Sequence, residues 1–520
     1  MRATTATARL TRLALRQDRS WLAWWLLGVG AYVTATAAAM RGAYPDQAAV
    51  DAYAATAGLR QTERLFNGPG HAVDTIGGLT VFEAGGYLLV AVALFGVFTV
   101  VRHTRTPEHD GRAELLAAAP VGRWAALAAA CATAGIGALA LGTVATAGLM
   151  VTGLGARGSA AYGTCVAGSV LVFAAVGTVT AQLSDNPRVA LAAAGVALGA
   201  AYLVRGIGDL RDNGLVWASP LGWVQAVRPF ADERLWPGLL ALAGAAALVG
   251  LAAWLTTRRD LGAGIRATGP GPAVAAPALR TPTGLAVRLQ RGTAVGWACG
   301  LGVLGLALGV LGDGVVAATG EVTGMPWAGP QAAELYYGFA CLLLGALTGC
   351  AGIALTVRQR TEEQAGRTGL VCSGTWSRTR WFACCLGVTL AATVVVLLVA
   401  ATGLAVGRAV STDGPFLGTV THSLAYLPAV WVLVAVATLL VAAAPGWTPL
   451  AWASAGYVLV VALLAAVLKL PGWAQDLSPF THAPGLDDDL TDPRLLVLTG
   501  IAALVTTSAG RSFRRRNLVA

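Results

Sequence analysis

The sequence predicts an all-α polytopic membrane protein, with 12 transmembrane helices as two parallel six-helix repeats. Three observations predict it. Of 520 residues, 56% are hydrophobic and only 12% are charged, whereas a soluble domain averages about 25% charged. Apolar runs of about twenty residues recur along the chain, each long enough as a helix to cross a hydrocarbon core of about 30 Å. A short charged pattern also occurs twice, the second copy 255 positions after the first: Arg105-Thr106-Pro107-Glu108-His109-Asp110-Gly111-Arg112 and Arg360-Thr361-Glu362-Glu363-Gln364-Ala365-Gly366-Arg367. Backbone polar groups in lipid must pair within the chain, which leaves helices or a closed barrel. The Leu/Ala/Val/Gly runs lack the ten-residue alternation of barrel strands.

The spans are expected at 21–40, 80–101, 125–152, 160–182, 188–207 and 237–257, then at 293–312, 334–357, 382–405, 418–443, 449–468 and 494–510. The first run, Trp21 to Met40, is too long for the core of a cleavable signal and reads as an anchor. Gly262 to Pro282 is rich in Gly, Ala and Pro and reads as a linker. The organisation is therefore a first half at 1–257, a cytoplasmic linker and interfacial segment at 258–292, and a second half at 293–520. The basic-apolar stretches 9–19 and 283–291 read equally as short interfacial helices and as solvated tails.

Basic residues orient the chain. With the N-terminus inside, the cytoplasmic segments hold 25 of the 36 Lys and Arg but 8 of the 26 Asp and Glu. Both termini are then cytoplasmic, and the net charge of +10 needs no nucleic-acid partner. Trp21, Trp124, Trp236, Trp254, Trp381 and Trp447 fall near expected span ends and read as interfacial anchors.

The repeat extends past the charged loops. Leu13-Ala14-Leu15-Arg16-Gln17-Asp18-Arg19 before span 1 matches Leu285-Ala286-Val287-Arg288-Leu289-Gln290-Arg291 before span 7, and Trp25 matches Trp297. Arg258-Arg259-Asp260 after span 6 matches Arg515-Arg516-Asn517 after span 12. Six spans per repeat make the halves parallel.

Chemistry is sparse. The eight Cys form no Cys-x-x-Cys pair and the five His show no zinc spacing, so no metal site is expected. No nucleophile–base constellation points to a catalytic site. The single lysine, Lys469, is followed by Leu470, so the chain has no Gly-Lys-Ser/Thr phosphate loop. If ATP drives this protein, another subunit binds it. Glu83, Glu334 and Arg205 lie near the outer ends of spans 2, 8 and 5, and the span centres otherwise show no relay of ionisable groups.

The loops remain. Arginines in a loop ordinarily do no more than obey the positive-inside rule. Here the same pattern recurs at the same place in both halves, and the first continues as helix-favouring Ala113-Glu114-Leu115-Leu116-Ala117. A short helix lying across the membrane base suits docking into a partner's groove.

Arg-x-Glu-Glu-x-x-Gly-Arg after the second span of a half, six spans per half and Arg-Arg-Asp-Leu ending at Leu261 resemble the permeases of type-2 ABC exporters. They are similar in particular to the actinobacterial exporters of polyketide antibiotics and other drugs, in which both halves share one chain. The resemblance covers nearly the whole length. It implies that the two loops are coupling helices seated in separate ATPase subunits, two copies per permease, with ATP and Mg held there and no cofactor bound by this chain. The ATPase-coupling residues it implies are Glu108, Asp110, Gly111, Arg112, Glu114 and Leu115, and Glu362, Glu363, Gly366, Arg367 and Leu370. Pro107 and His109 depart from the acidic family pattern, and Gly369 stands where the first loop has Glu114. By the same resemblance, spans 1, 2 and 5, with their repeats 7, 8 and 11, line the substrate path. Its candidate wall residues are Trp24, Phe82, Tyr87, Phe95, Phe98, Trp297, Tyr336, Tyr337 and Phe339; helix packing is the plain alternative for each. The implied function is export of hydrophobic antibiotics or drugs across the bacterial plasma membrane. A twelve-helix proton-coupled drug carrier is the alternative, although neither loop matches that family's Gly-x-x-x-Asp-Arg-x-Gly-Arg-Arg beyond Gly-Arg. A membrane scaffold without transport is a third.

Overall fold

The computed structural model of the chain describes residues 4–57, 67–260, 262–265, 273–319, 332–374, 376–412, 414–464, 471–483 and 492–516. Every regular element among them is helical, as the lack of water in a bilayer demands. Eleven helices among the described residues are long and apolar enough to cross a membrane, and a shorter apolar one covers Leu450–Ala462. That shorter helix falls where the span at 449–468 is expected; residues 465–470, with Lys469, lie outside the described residues, as does Leu261. The chain is thus an all-α, multi-pass membrane protein. It divides into two compact units, Met1–Gly271 and Pro272–Ala520.

In the first unit α1 (Thr7–Gln17) precedes α2 (Arg19–Ala43) and α3 (Gln47–Ala57). Asp18 interrupts α1 and α2 with φ −93° and ψ 5°. Its buried carboxylate meets His103 at 2.5 Å and Arg102 at 3.3 Å. The corresponding Gln290 sits inside an unbroken helix and bonds Thr389 and the Cys385 carbonyl. The break thus falls at the ion-paired carboxylate of the first unit, whereas the neutral amide at the matching position lies inside a continuous helix.

Next come α4 (Ile76–Thr80), a π-helical turn (Val81–Gly85) carrying Glu83, and α5 (Gly86–His103). The charged loop holds α6 (Arg105–His109) and α7 (Arg112–Ala117). After it run α8 (Ala125–Val151), α9 (Ala156–Leu183), α10 (Pro187–Arg211), α11 (Pro220–Gln225) and α12 (Trp236–Thr256). The centre of the unit is α9, whose small residues let α5, α8 and α12 pack closely against it. Ser169 and Tyr162 on α9 donate to the Leu89 and Gly85 carbonyls at 2.8 and 3.1 Å.

The second unit holds α13 (Pro282–Thr319), α14 (Ala332–Gln364), α15 (Arg367–Cys372), α16 (Arg378–Thr412), α17 (Phe416–Leu424), α18 (Leu427–Ala443), α19 (Leu450–Leu464), α20 (Gly472–Asp476) and α21 (Pro493–Arg515). Helices α13 and α16 touch backbone to backbone. A Cβ on Gly407 would stand 2.5 Å from the Leu306 carbonyl oxygen and 2.8 Å from the Gly309 Cα. Tyr336 and Tyr337 on α14 donate to the α13 carbonyls of Leu308 and Gly309 at 2.8 and 3.2 Å. Trp381 does not serve as an interfacial anchor: it is buried, stacked on Trp376 and packed with Ala286 and Cys385.

Candidate functional site: two arginine-braced loops

Both charged loops turn on a glycine. Gly111 has φ +74° and Gly366 φ +72°, and a Cβ added to either would meet nothing within 4 Å. The left-handed backbone, not crowding, selects glycine there. The same bonds close both corners: Asp110 to the Thr106 carbonyl and Gly111 to Glu108 at 3.0 and 3.2 Å, Ala365 to Thr361 and Gly366 to Glu363 at 3.1 and 2.9 Å. The following arginine, Arg112 or Arg367, opens a new short helix. The loops differ before the corner. In the second, α14 runs unbroken to Gln364. In the first, α5 stops at His103 and α6 starts afresh, because Pro107 has no N–H for the His103 carbonyl.

Glu108 and Glu363 point into the protein. Arg259 grips both Glu108 oxygens with separate nitrogens, each at 2.8 Å, and Arg105 adds a contact at 2.5 Å. Arg516 reaches both Glu363 oxygens from one nitrogen at 2.6 Å, and Arg360 adds 3.3 Å. Each carboxylate therefore sits between two guanidiniums, one from its own loop and one from just beyond the last helix of its unit. Arg259 also bonds Gln182 on α9 at 2.7 Å, and Arg516 bonds the Val441 carbonyl on α18 at 3.0 Å. The fully buried Arg105 further donates to the Gly262 and Ala263 carbonyls at 2.9 and 3.1 Å.

The rest of each pattern faces outward. Leu115 is 78% and Leu370 76% exposed, at matching positions on α7 and α15. Arg112 is exposed and pairs with Asp110; Arg367 is exposed and bonds Glu362 at 2.5 Å. That bond holds the Arg367 guanidinium above its ordinary range. Glu114 is exposed, while Glu362 is mostly buried. Beside the first loop lies a recess of about 1050 Å³ with Glu108, His109, Glu114 and Asp185 on its wall. The space beside the second is about 30 Å³, with Trp381, Phe382 and Phe513 around it.

The path candidates separate into three groups. Trp24 and Tyr87 join Trp21, Trp25, Tyr32 and Leu88 around an aromatic groove of about 550 Å³ on α2 and α5. Phe95 is buried behind it against Trp25, ring centres 5.5 Å apart, and Phe98 meets Trp21 edge-on at 6.5 Å. Phe82 instead lines a separate mixed cavity of about 370 Å³ that also carries His71, Asp209 and Gln225. In the second unit Tyr336 and Tyr337 are buried with both hydroxyls bonded to α13, and Trp297 packs on the core. Phe339 is half-buried on α14. The structure thus brings Trp24 and Tyr87 together and does not gather the second-unit aromatics into a comparable groove among the described residues.

Sequence reasoning missed Trp21, Trp25 and Tyr32 as groove residues. Their spacing of four and seven along one helix face was the available signal. It also missed the role of Arg259 and Arg516, visible only as a matched pair of helix-end motifs.

The family model for the multidrug efflux system permease Rv1217c, C-terminal domain, matches residues 9–256 and 279–514. The multidrug efflux system permease protein Rv1217c of Mycobacterium tuberculosis (strain ATCC 25618 / H37Rv) is 38% identical over 534 residues, covering 99% of this chain and 95% of that protein. With both halves matched and nearly the full length aligned, the chain belongs to the multidrug efflux permease family.

Proposed function

We propose that this chain is the permease of an ATP-driven ABC exporter for hydrophobic, polyketide-like antibiotics and drugs. It sits in the bacterial plasma membrane with both termini cytoplasmic and pairs with two copies of a separate ATPase, which hold ATP and Mg. The observation that carries this reading is the matched pair of loops. Each turns on a left-handed glycine, is fixed from behind by a guanidinium pair and presents an exposed leucine. A braced base under an apolar knob with charged neighbours suits a partner's groove. The aromatic groove on α2 and α5 suits an apolar, ring-bearing drug. ATP binding would draw the two loops together and open the path outward, and hydrolysis would reset it.

One observation favours the proton-coupled alternative: Asp209 and Arg205 form a buried pair at 3.4 Å on α10. Reconstitution separates the readings. The chain is placed in liposomes alone, and with a separate P-loop ABC ATPase, and ethidium efflux is followed. ATP-dependent efflux by the complex is expected. Efflux by the lone chain under a proton gradient would replace this reading with the carrier.

A further inference from the structure

The structure assigns to Arg259 and Arg516 a positioning role: they carry displacement of the two loops into the membrane-spanning helices, with Glu108 and Glu363 as buried anchors and not docking contacts. This inference rests on the ATPase-coupled reading and adds the route by which the loops move the spans.

Geometry comes first. In each unit the guanidinium beyond the last helix touches the loop carboxylate and a second span at once: Glu108 and Gln182 for Arg259, Glu363 and the Val441 carbonyl for Arg516. A push on α7 or α15 therefore reaches two helices through one rigid planar group. Burial comes second. Arg259 is 7% exposed and Glu108 12%, while Arg516 is 16% exposed and Glu363 3%. A partner seated on the outward face meets Leu115 or Leu370 first; Glu363 lies enclosed beneath, and Glu108 shows only an edge in the recess wall. Recurrence comes third. The pairs span 151 and 153 positions, arise in separate compact units and share no residue.

A mere staple is the competing account. A buried ion pair is a weak source of net stability, since desolvation offsets most of the attraction. It is a stiff and directional link, however, and stiffness is what transmission needs. The units also differ. Arg259 uses a two-nitrogen fork on Glu108, whereas Arg516 uses one nitrogen for both Glu363 oxygens. Lysine, a single point donor, can mimic the second contact and not the first.

The test uses the full chain with its ATPase in liposomes, with ethidium as drug. Arg259→Lys should retain the ATPase at wild-type stoichiometry, while ethidium-stimulated ATP turnover and efflux fall about tenfold. Arg516→Lys keeps a nitrogen for Glu363 and gives up the separate one on the Val441 carbonyl, so it should show the same split with a smaller loss. Glu108→Asp keeps the charge and shortens the arm, so it should repeat the Arg259→Lys split and cover a lysine variant that fails to insert. Leu115→Asp with Leu370→Asp should instead lose the ATPase. Wild-type stimulation and efflux in both Arg259→Lys and Glu108→Asp would reduce the contact to a staple and overturn the assignment. Loss of the ATPase from Arg259→Lys to the extent seen in the leucine variant would also overturn it, making Arg259 a docking residue. If wild-type chain takes up no ATPase at all, the exporter reading fails, and this inference with it.

Discussion

Arg112 and Arg367 each stand in the first turn after a left-handed glycine, exposed and paired with a carboxylate of their own loop. Reversing both charges leaves the helices untouched and sets like charges beside Asp110 and Glu362. On the proposed exporter reading, Arg112→Glu with Arg367→Glu should therefore insert normally and weaken ATPase binding by about 2 kcal/mol, roughly thirtyfold. Titration of the ATPase onto the purified double variant checks this, and wild-type affinity would make the corners ordinary loops. His71 offers a test on a different face. Burial, and next the Arg228 charge, hold its pKa at about 4, below the ordinary 6.5 of an imidazole. The unfolded chain then binds a proton before the folded one does. This contribution to stability is present above pH 6.5 and fades as pH falls through about 4. His71→Gln should flatten the fall in melting temperature between pH 6.5 and 4, and an unchanged slope would show that His71 titrates freely. At this scale the sequence exposed which residues recur and not what they touch. Arg259 and Glu108 are separated by 151 positions, and no local pattern links them.

Helices α13 and α16 show what a span-length reading can and cannot supply. Hydropathy and length mark both as spans, because lipid leaves a long apolar segment only one way to pair its backbone. Hydropathy does not mark where two helices touch. Gly300 and Gly407 read alike in sequence, yet a Cβ on Gly300 meets nothing within 4 Å and one on Gly407 meets the α13 backbone. Gly407→Ala should thus cost about 1–3 kcal/mol by forcing α13 and α16 apart. Gly300→Ala should be neutral or gain about 1 kcal/mol from helix propensity. Thermal unfolding in detergent compares the two, and equal effects would contradict the close approach. The same limit explains Asp18. A charge before a span looks like any flanking charge until its partners, His103 and Arg102 at the far end of α5, come into view. The aromatic candidates were only partly legible for this reason too: a ring at a helix surface, such as Trp24, and one bonded to a neighbour, such as Tyr337, have the same hydropathy signature.

Across the whole molecule the two units present unequal loops to whatever binds them. The first has a helix broken at Thr104, a recess of about 1050 Å³ with Glu108, Glu114 and Asp185 on its wall, and exposed Glu114 beside its leucine. The second has a continuous helix, about 30 Å³ of space filled around by aromatic rings, and Gly369 in place of the acid. A partner can bury more surface and find one more charge at the first loop. The second gives it a stiffer but smaller knob. Charge complementarity favours retention at the first site, and stiffness favours transmission at the second. The loops should accordingly fail in different ways when altered singly. On the proposed reading with two ATPase copies, Leu115→Asp should release about one per chain, the more firmly held, and shift dissociation by roughly tenfold or more. Leu370→Asp should retain a larger share of ATPase and lose more of the drug-stimulated turnover per copy bound. Native mass spectrometry counts the copies and a coupled ATP assay reads the turnover on the same preparations. Equal losses of both quantities in the two variants would mean that the loops, despite their different surroundings, act as one symmetric pair.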